Sequence, residues 1–137
     1  NIIKDFCQNV DVINIGCKNL EDTVEHGELE STEINKLLLK YLDKVKNSKT
    51  DYLVLGCTHY PFLKKSIRKI LGSHIKLIDG GKAIARRTKW LLKNNSIKNN
   101  QKKRGSVVYF TTSDSEKFSK VASKLMKENI KAQNVKI

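Results

Sequence analysis

A thiol and an imidazole stand two residues apart in the stretch LVLGCTHYPFLKK, which runs from Leu53 to Lys65. Cys57 and His59 are the pair. A cysteine close to a histidine can act as a base, an acid or a nucleophile, because the thiolate is the reactive form and the imidazole can take or return its proton. Thr58 adds a hydroxyl and an N–H able to meet a carboxylate, and Gly56 leaves the approach open. Pro61, the only proline in the chain, suits the first turn of a helix, where its missing N–H costs nothing. The free N–H groups of such a helix start favour an anion. The spacing therefore suits a carboxylate held beside a reactive thiol. Taken singly, a cysteine at a strand end is more often a small buried hydrophobe. The combination of Gly, Cys, Thr, His and a helix-starting Pro is what points to chemistry. Zinc is disfavoured, since no second ligand pair follows at useful spacing.

The elements that must position this stretch are legible from pattern. Asp51–Gly56 is a short continuous apolar run, predicted as a strand covered on both faces. Phe62, Leu63, Ile67, Ile70 and Leu71 supply the buried face of the helix that follows, and Gly72 its stop. Upstream, Asp11–Gly16 alternates as a short strand, and an acidic loop with a turn at Gly27 follows it. Ile34, Leu37, Leu38, Tyr41, Leu42 and Val45 recur at helical spacing behind Ser31 or Thr32 as cap. Downstream, HIKLID forms a strand ending at Asp79, and Gly80–Gly81 turns into a helix from about Lys82 to Leu92. Ala83, Ile84, Trp90 and Leu91 are its expected inward side. A lysine-rich loop precedes the strand SVVYFTT. Ser113 with Glu116 offers a capping box for a helix ending at Met126, and IKAQNVKI is a last strand. Alternating strands and helices predict an α/β fold, a mostly parallel sheet with helices on both faces.

The 137 residues carry a net charge of +13, distributed unevenly. Two lysines face eight acids over residues 1–35, so nearly all the positive charge lies beyond. Such a surface could draw nucleic acid. Yet 23 of the 27 basic residues are lysine, scattered without interleaved aromatics or a nucleic-acid motif, which disfavours that partner. No apolar run approaches the roughly 20 residues of a membrane span, so no membrane partner is expected. Three cysteines without a C-x-x-C pair fit a reduced, cytoplasmic protein. A chain starting at Asn1, whose one methionine is Met126, is expected to be a fragment or a processed product.

The motif LVLGCTHYPFL resembles the second cysteine motif of the glutamate racemases. INIGCKNLEDTVEHGELE is similar to the family segment that ends in a Val-Glu pair, which places its acid at Glu25. IKLIDGGKAIARR resembles the Ile-Asp-Ser-Gly segment, and VVYFTTSDSEKFSKVASKLM the C-terminal strand and helix. The resemblance implies a cofactor-independent, two-base inversion of L-glutamate to D-glutamate for the cell-wall peptidoglycan, using two thiols on opposite faces of the α-carbon. It assigns Cys57, His59 and Glu25 to catalysis. Cys57 would take the proton from L-glutamate, His59 would assist it, and Glu25 would be the acid close by. Thr58 and Gly56 would bind substrate.

The family architecture is a pseudo-symmetric pair of α/β lobes with the site between them. Residues 1–78 would form most of the second lobe, and residues 79–137 would return to complete the first. The first lobe's opening Asp-Ser-Gly motif and Cys-Asn-Thr segment are not in this sequence, so the N-terminal half of such a protein is an expected partner, with room for a homodimer. Cys17 matches a non-catalytic position. Lys18 and Asp22 stand where prolines are common, and Asp79-Gly80-Gly81 replaces Asp-Ser-Gly. Three rival readings stay open: an aspartate-type racemase, which His59-Tyr60-Pro61 argues against, an inactive remnant, and a basic binding module.

Overall fold

Ser31 opens the longest described helix by accepting a hydrogen bond from the Ile34 N–H, 3.3 Å away. The cap satisfies one of the four N–H groups that a helix start leaves unpaired. The computed structural model describes residue 5, residues 9–101, residue 103 and residues 105–137. Cys7 lies outside them. The order is α1 (Leu20–Glu25), α2 (Thr32–Lys46), β1 (Tyr52–Val54), a 3₁₀ turn (Tyr60–Leu63), α3 (Lys64–Leu71), β2 (Lys76–Ile78), α4 (Gly81–Asn94), β3 (Tyr109–Thr111), α5 (Ser115–Met126) and β4 (Ala132–Asn134).

The strands pair in parallel, as the alternation of strands and helices predicts. They form two separate two-stranded ribbons, β1 with β2 and β3 with β4. Each ribbon is closed by one helix, so the chain contains two βαβ units: β1–α3–β2 and β3–α5–β4.

The core lies on one side of the first unit. Val24 of α1, Ile34 and Leu38 of α2, Leu63, Ile67 of α3 and Ile75 are all essentially buried. Each such side chain contributes about 1.5–3 kcal/mol of hydrophobic stabilisation. The α2 stripe of Ile34, Leu38, Leu42 and Val45 is buried as its spacing predicts, with Leu37 packed beside it. Tyr41 is half-buried and reaches out instead, donating to the Lys18 carbonyl at 2.9 Å and accepting from its N–H at 3.0 Å.

Several sequence expectations need correction. β1 is covered on one face only: Leu53 packs on the core while Tyr52 and Val54 are exposed. Asp11–Gly16 joins no ladder among the described residues, because alternation alone cannot hold a strand without a hydrogen-bonded neighbour. Val12 and Ile13 are accordingly exposed, although Ile15 still reaches the core. The helix predicted from Lys82 forms as α4, but none of its side chains is buried. Ala83, Ile84, Trp90 and Leu91 are all exposed. Amphipathic spacing made the helix, and no described element packs its apolar side. At α5 the cap is Asp114 and not Ser113. The Asp114 carboxylate accepts from both Glu116 N–H (2.9 Å) and Lys117 N–H (3.0 Å), two charge-assisted bonds that a serine hydroxyl makes less strongly.

Candidate active site

β1 ends at Val54, and Leu55 turns inward to the core while its N–H donates to the Ile78 carbonyl at 2.7 Å. That bond ties the carboxyl ends of the two strands together. Gly56 follows exposed, Cys57 half-buried and Thr58 exposed. The chain then tightens into the 3₁₀ turn, where Tyr60 N–H donates to the Cys57 carbonyl (3.3 Å) and Phe62 N–H to that of His59 (3.1 Å). Pro61 sits in its first turn, as its fixed φ favours. The sequence places an α-helix at once. The structure inserts this single 3₁₀ turn before α3, which leaves His59 at the junction with its side chain directed back over the loop.

Two contacts assemble the site. Cys57 Sγ and His59 Nδ1 lie 3.5 Å apart. On the other side of the ring, His59 Nε2 lies 3.0 Å from Glu25 Oε1, on the last residue of α1. A carboxylate can only accept, so Nε2 carries a hydrogen and, in the neutral ring, Nδ1 presents its lone pair to the thiol. The three residues form a relay from carboxylate to imidazole to thiol. Its outer end is open, with the Glu25 side chain 64% exposed and that of His59 31%.

Glu25 reaches His59 because α1, which it ends, packs against the 3₁₀ turn, and a tight turn follows it. Gly27 adopts φ +71°, a conformation that side chains resist, and its N–H donates to the Val24 carbonyl at 2.8 Å. A Cβ at Gly27 would lie 3.0 Å from the Lys124 side chain of α5, which packs over it. Leu125 of the same helix packs on the core. The C-terminal unit thus touches the turn that carries Glu25.

Sequence reasoning passed over two features beside the relay. Tyr60 packs against the core, where burial and then the neighbouring Cys17 and Cys57 push its phenol up to about 12. Cys17, also packed on the core, has its thiol raised mainly by burial, an effect the Tyr60 hydroxyl partly offsets. The second feature is Asp79 at the end of β2, whose carboxylate bonds the Lys64 ammonium and accepts from the Gly81 N–H at 2.7 Å. Those partners, Lys64 first, hold the carboxyl below its ordinary range. Tyr60 and Lys64 lie in the motif itself, but only tertiary packing brings Cys17 to Tyr60 and Asp79 to Lys64.

No protein-family model matches the chain. Curated proteins do. The glutamate racemase of Clostridium kluyveri is 35% identical over 128 residues, which cover 93% of this chain and 49% of that protein. The glutamate racemase of Clostridium botulinum is 30% identical over 129 residues, covering 94% and 50% respectively. The chain belongs to the glutamate racemase family. It spans about half the length of the curated relatives it matches. Among solved glutamate racemases, isoform RacE1 of Bacillus anthracis shares the fold with a TM-score of 0.84 at 23% identity, over 98% of this chain and 50% of that one. The glutamate racemase of Francisella tularensis, solved in complex with D-glutamate, gives 0.79 at 28% identity, over 99% and 49%. Family membership and parallel α/β architecture therefore agree. No helix among the described residues is long and apolar enough to cross a membrane.

Proposed function

We propose that this chain supplies one catalytic thiol of a glutamate racemase, Cys57, to an active site completed by the other half of the family fold. The observation that carries the reading is the relay Glu25–His59–Cys57 at the carboxyl end of β1, where open α/β sheets bind their ligands. The reaction would be cofactor-independent interconversion of L- and D-glutamate, feeding cytoplasmic peptidoglycan synthesis. Cys57 takes the α-proton from one face, helped by His59, with Glu25 holding the imidazole in the tautomer that faces the thiol. A second thiol on the missing lobe donates from behind. Thiols suit this work because the same group must be base in one direction and acid in the other. Gly56 and Thr58, exposed beside Cys57, would meet the substrate's amino-acid groups.

Residues 1–78 then correspond to most of one lobe, and residues 79–137 return to the lobe whose other part is absent. Bare apolar side chains mark where that part would dock: Val54 and Ile78 on the first ribbon, Ile84 and Trp90 on α4, Phe110 on β3. Exposed surface of this kind marks an interaction site, and a homodimer of the reassembled protein would be a further level of assembly.

The test is circular-dichroism racemisation of L-glutamate, with α-hydrogen exchange in D₂O followed in parallel. The chain alone should not racemise at an enzymatic rate. Mixing with the N-terminal half of a complete relative should restore turnover, and Cys57→Ala should abolish it. Robust racemisation by the chain alone would overturn the two-thiol reading.

A further inference from the structure

The relay has the parts of a thiol acyl-transfer site within a single lobe. Cys57 follows the strand β1 and Gly56 and precedes a helical segment, so the nucleophile sits on a strand–turn–helix bend. His59 Nδ1 stands 3.5 Å from the sulfur, and Glu25 holds the opposite ring nitrogen at 3.0 Å. Nucleophile, base and orienting acid in that order are what covalent catalysis by a thiol requires, and the constellation is recognised by geometry on unrelated folds. Two-base inversion needs a second thiol. Acyl transfer needs only one, and this chain carries it with its base and its orienting group.

We infer that the chain by itself catalyses hydrolysis of small activated esters and thioesters through an acyl group carried on Cys57. In the first step the Cys57 sulfur forms a bond to the acyl carbon while the bond from that carbon to the leaving oxygen or sulfur breaks. The thiol proton passes to His59 Nδ1 and from there to the leaving group. In the second step water attacks the thioester, His59 takes one of its protons, the acyl–sulfur bond breaks, and the proton returns to Cys57. The net change is ester plus water to acid plus alcohol or thiol. Cys57 and His59 are the catalytic residues. Glu25 is a positioning residue that acts through the imidazole. Cys57 is half-buried between exposed Gly56 and Thr58, so an ester can approach it from solvent.

The inference rests on the relay invoked for racemisation but needs neither glutamate nor a second lobe, so the two readings fail separately. The probe is p-nitrophenyl acetate on the purified chain, with p-nitrophenol release followed by absorbance and the acetylated peptide identified by mass spectrometry. The expected result is a burst of one equivalent, acetyl on the Cys57 peptide, and continued turnover. Cys57→Ala and the closer isostere Cys57→Ser should both remove the burst. His59→Ala should slow acylation by about 10²-fold, the usual scale for general-base help. Glu25→Gln should slow it less and alter its pH profile, whereas Cys17→Ala should leave the rate unchanged. Circular dichroism would check that each variant folds. Acetylation spread equally over Cys17 and lysines, a burst without turnover, or an unchanged rate in folded His59→Ala would each overturn the proposal.

Discussion

The two βαβ units share one local plan and differ in what covers them. In β1–α3–β2 the crossover helix packs on α2, and Leu63, Ile67, Leu71 and Ile75 are buried. In β3–α5–β4 the crossover helix buries none of its own residues, and Ile130 is the fully covered hydrophobe. The second unit relies on hydrogen bonds instead. Ser123 Oγ accepts from the Ile130 N–H at 2.9 Å and donates to its carbonyl at 3.2 Å, and Ser119 Oγ accepts from the Ala132 N–H at 2.9 Å. A parallel ribbon can therefore be held by side-chain hydroxyls where apolar packing is scarce. The relay for chemistry sits on the unit with the core, which can hold a thiol and an imidazole in fixed register.

Truncation in the two regions should break this contrast open. Leu63→Ala, which opens a cavity at a fully buried position, should cost about 2–5 kcal/mol in urea unfolding of the chain. Leu91→Ala on the bare side of α4 should stay within about 0.5 kcal/mol. Equal effects would mean that α4 is packed in solution, and addition of the N-terminal half of a relative should make Leu91→Ala costly. Ser123→Ala should come next, at about 1–3 kcal/mol for the backbone groups left without a partner. Amide exchange should show that loss at Ile130 while Ala132, held by Ser119, and the β1–β2 ladder keep their protection.

Caps offer a finer comparison. Ser31→Ala and Asp114→Ala should each cost about 1 kcal/mol, the first felt across the core unit and the second confined to α5. The smallest effect belongs to the Lys64–Asp79 link. Because the folded carboxyl lies below its ordinary value, its contribution is full above the unfolded pKa and is lost as pH falls through the folded one. Asp79→Asn should flatten that part of the stability profile in acid titration, and an unchanged slope would show that the link does not contribute in solution.

Local signals in the sequence carried most of this fold. The α2 stripe, the Gly72 stop at φ +76° and the parallel strands at Leu53, Leu77 and Phe110 all follow from patterns a few residues long. What pattern could not give was coverage. Val54 and Leu91 are as apolar as buried residues elsewhere in the chain, and only the neighbours decide whether they are covered. At the candidate site, Cys57 and His59 were legible because one turn holds them both. Glu25 lies 34 positions away, and its place in the relay depends on α1 packing against the 3₁₀ turn, a tertiary contact that local pattern does not encode. Asp114 outcompeted Ser113 for the cap by charge, a difference that spacing does not encode.

The register of the two ribbons also bears on how the chain acquires its structure. Tyr52 pairs with Lys76 and Tyr109 with Ala132, so each ladder closes over roughly two dozen residues. Short closure distances carry a small entropic cost and speed folding. Each unit can thus zip locally as it emerges during synthesis, in the order in which it is translated. The first to emerge is the one that carries the thiol.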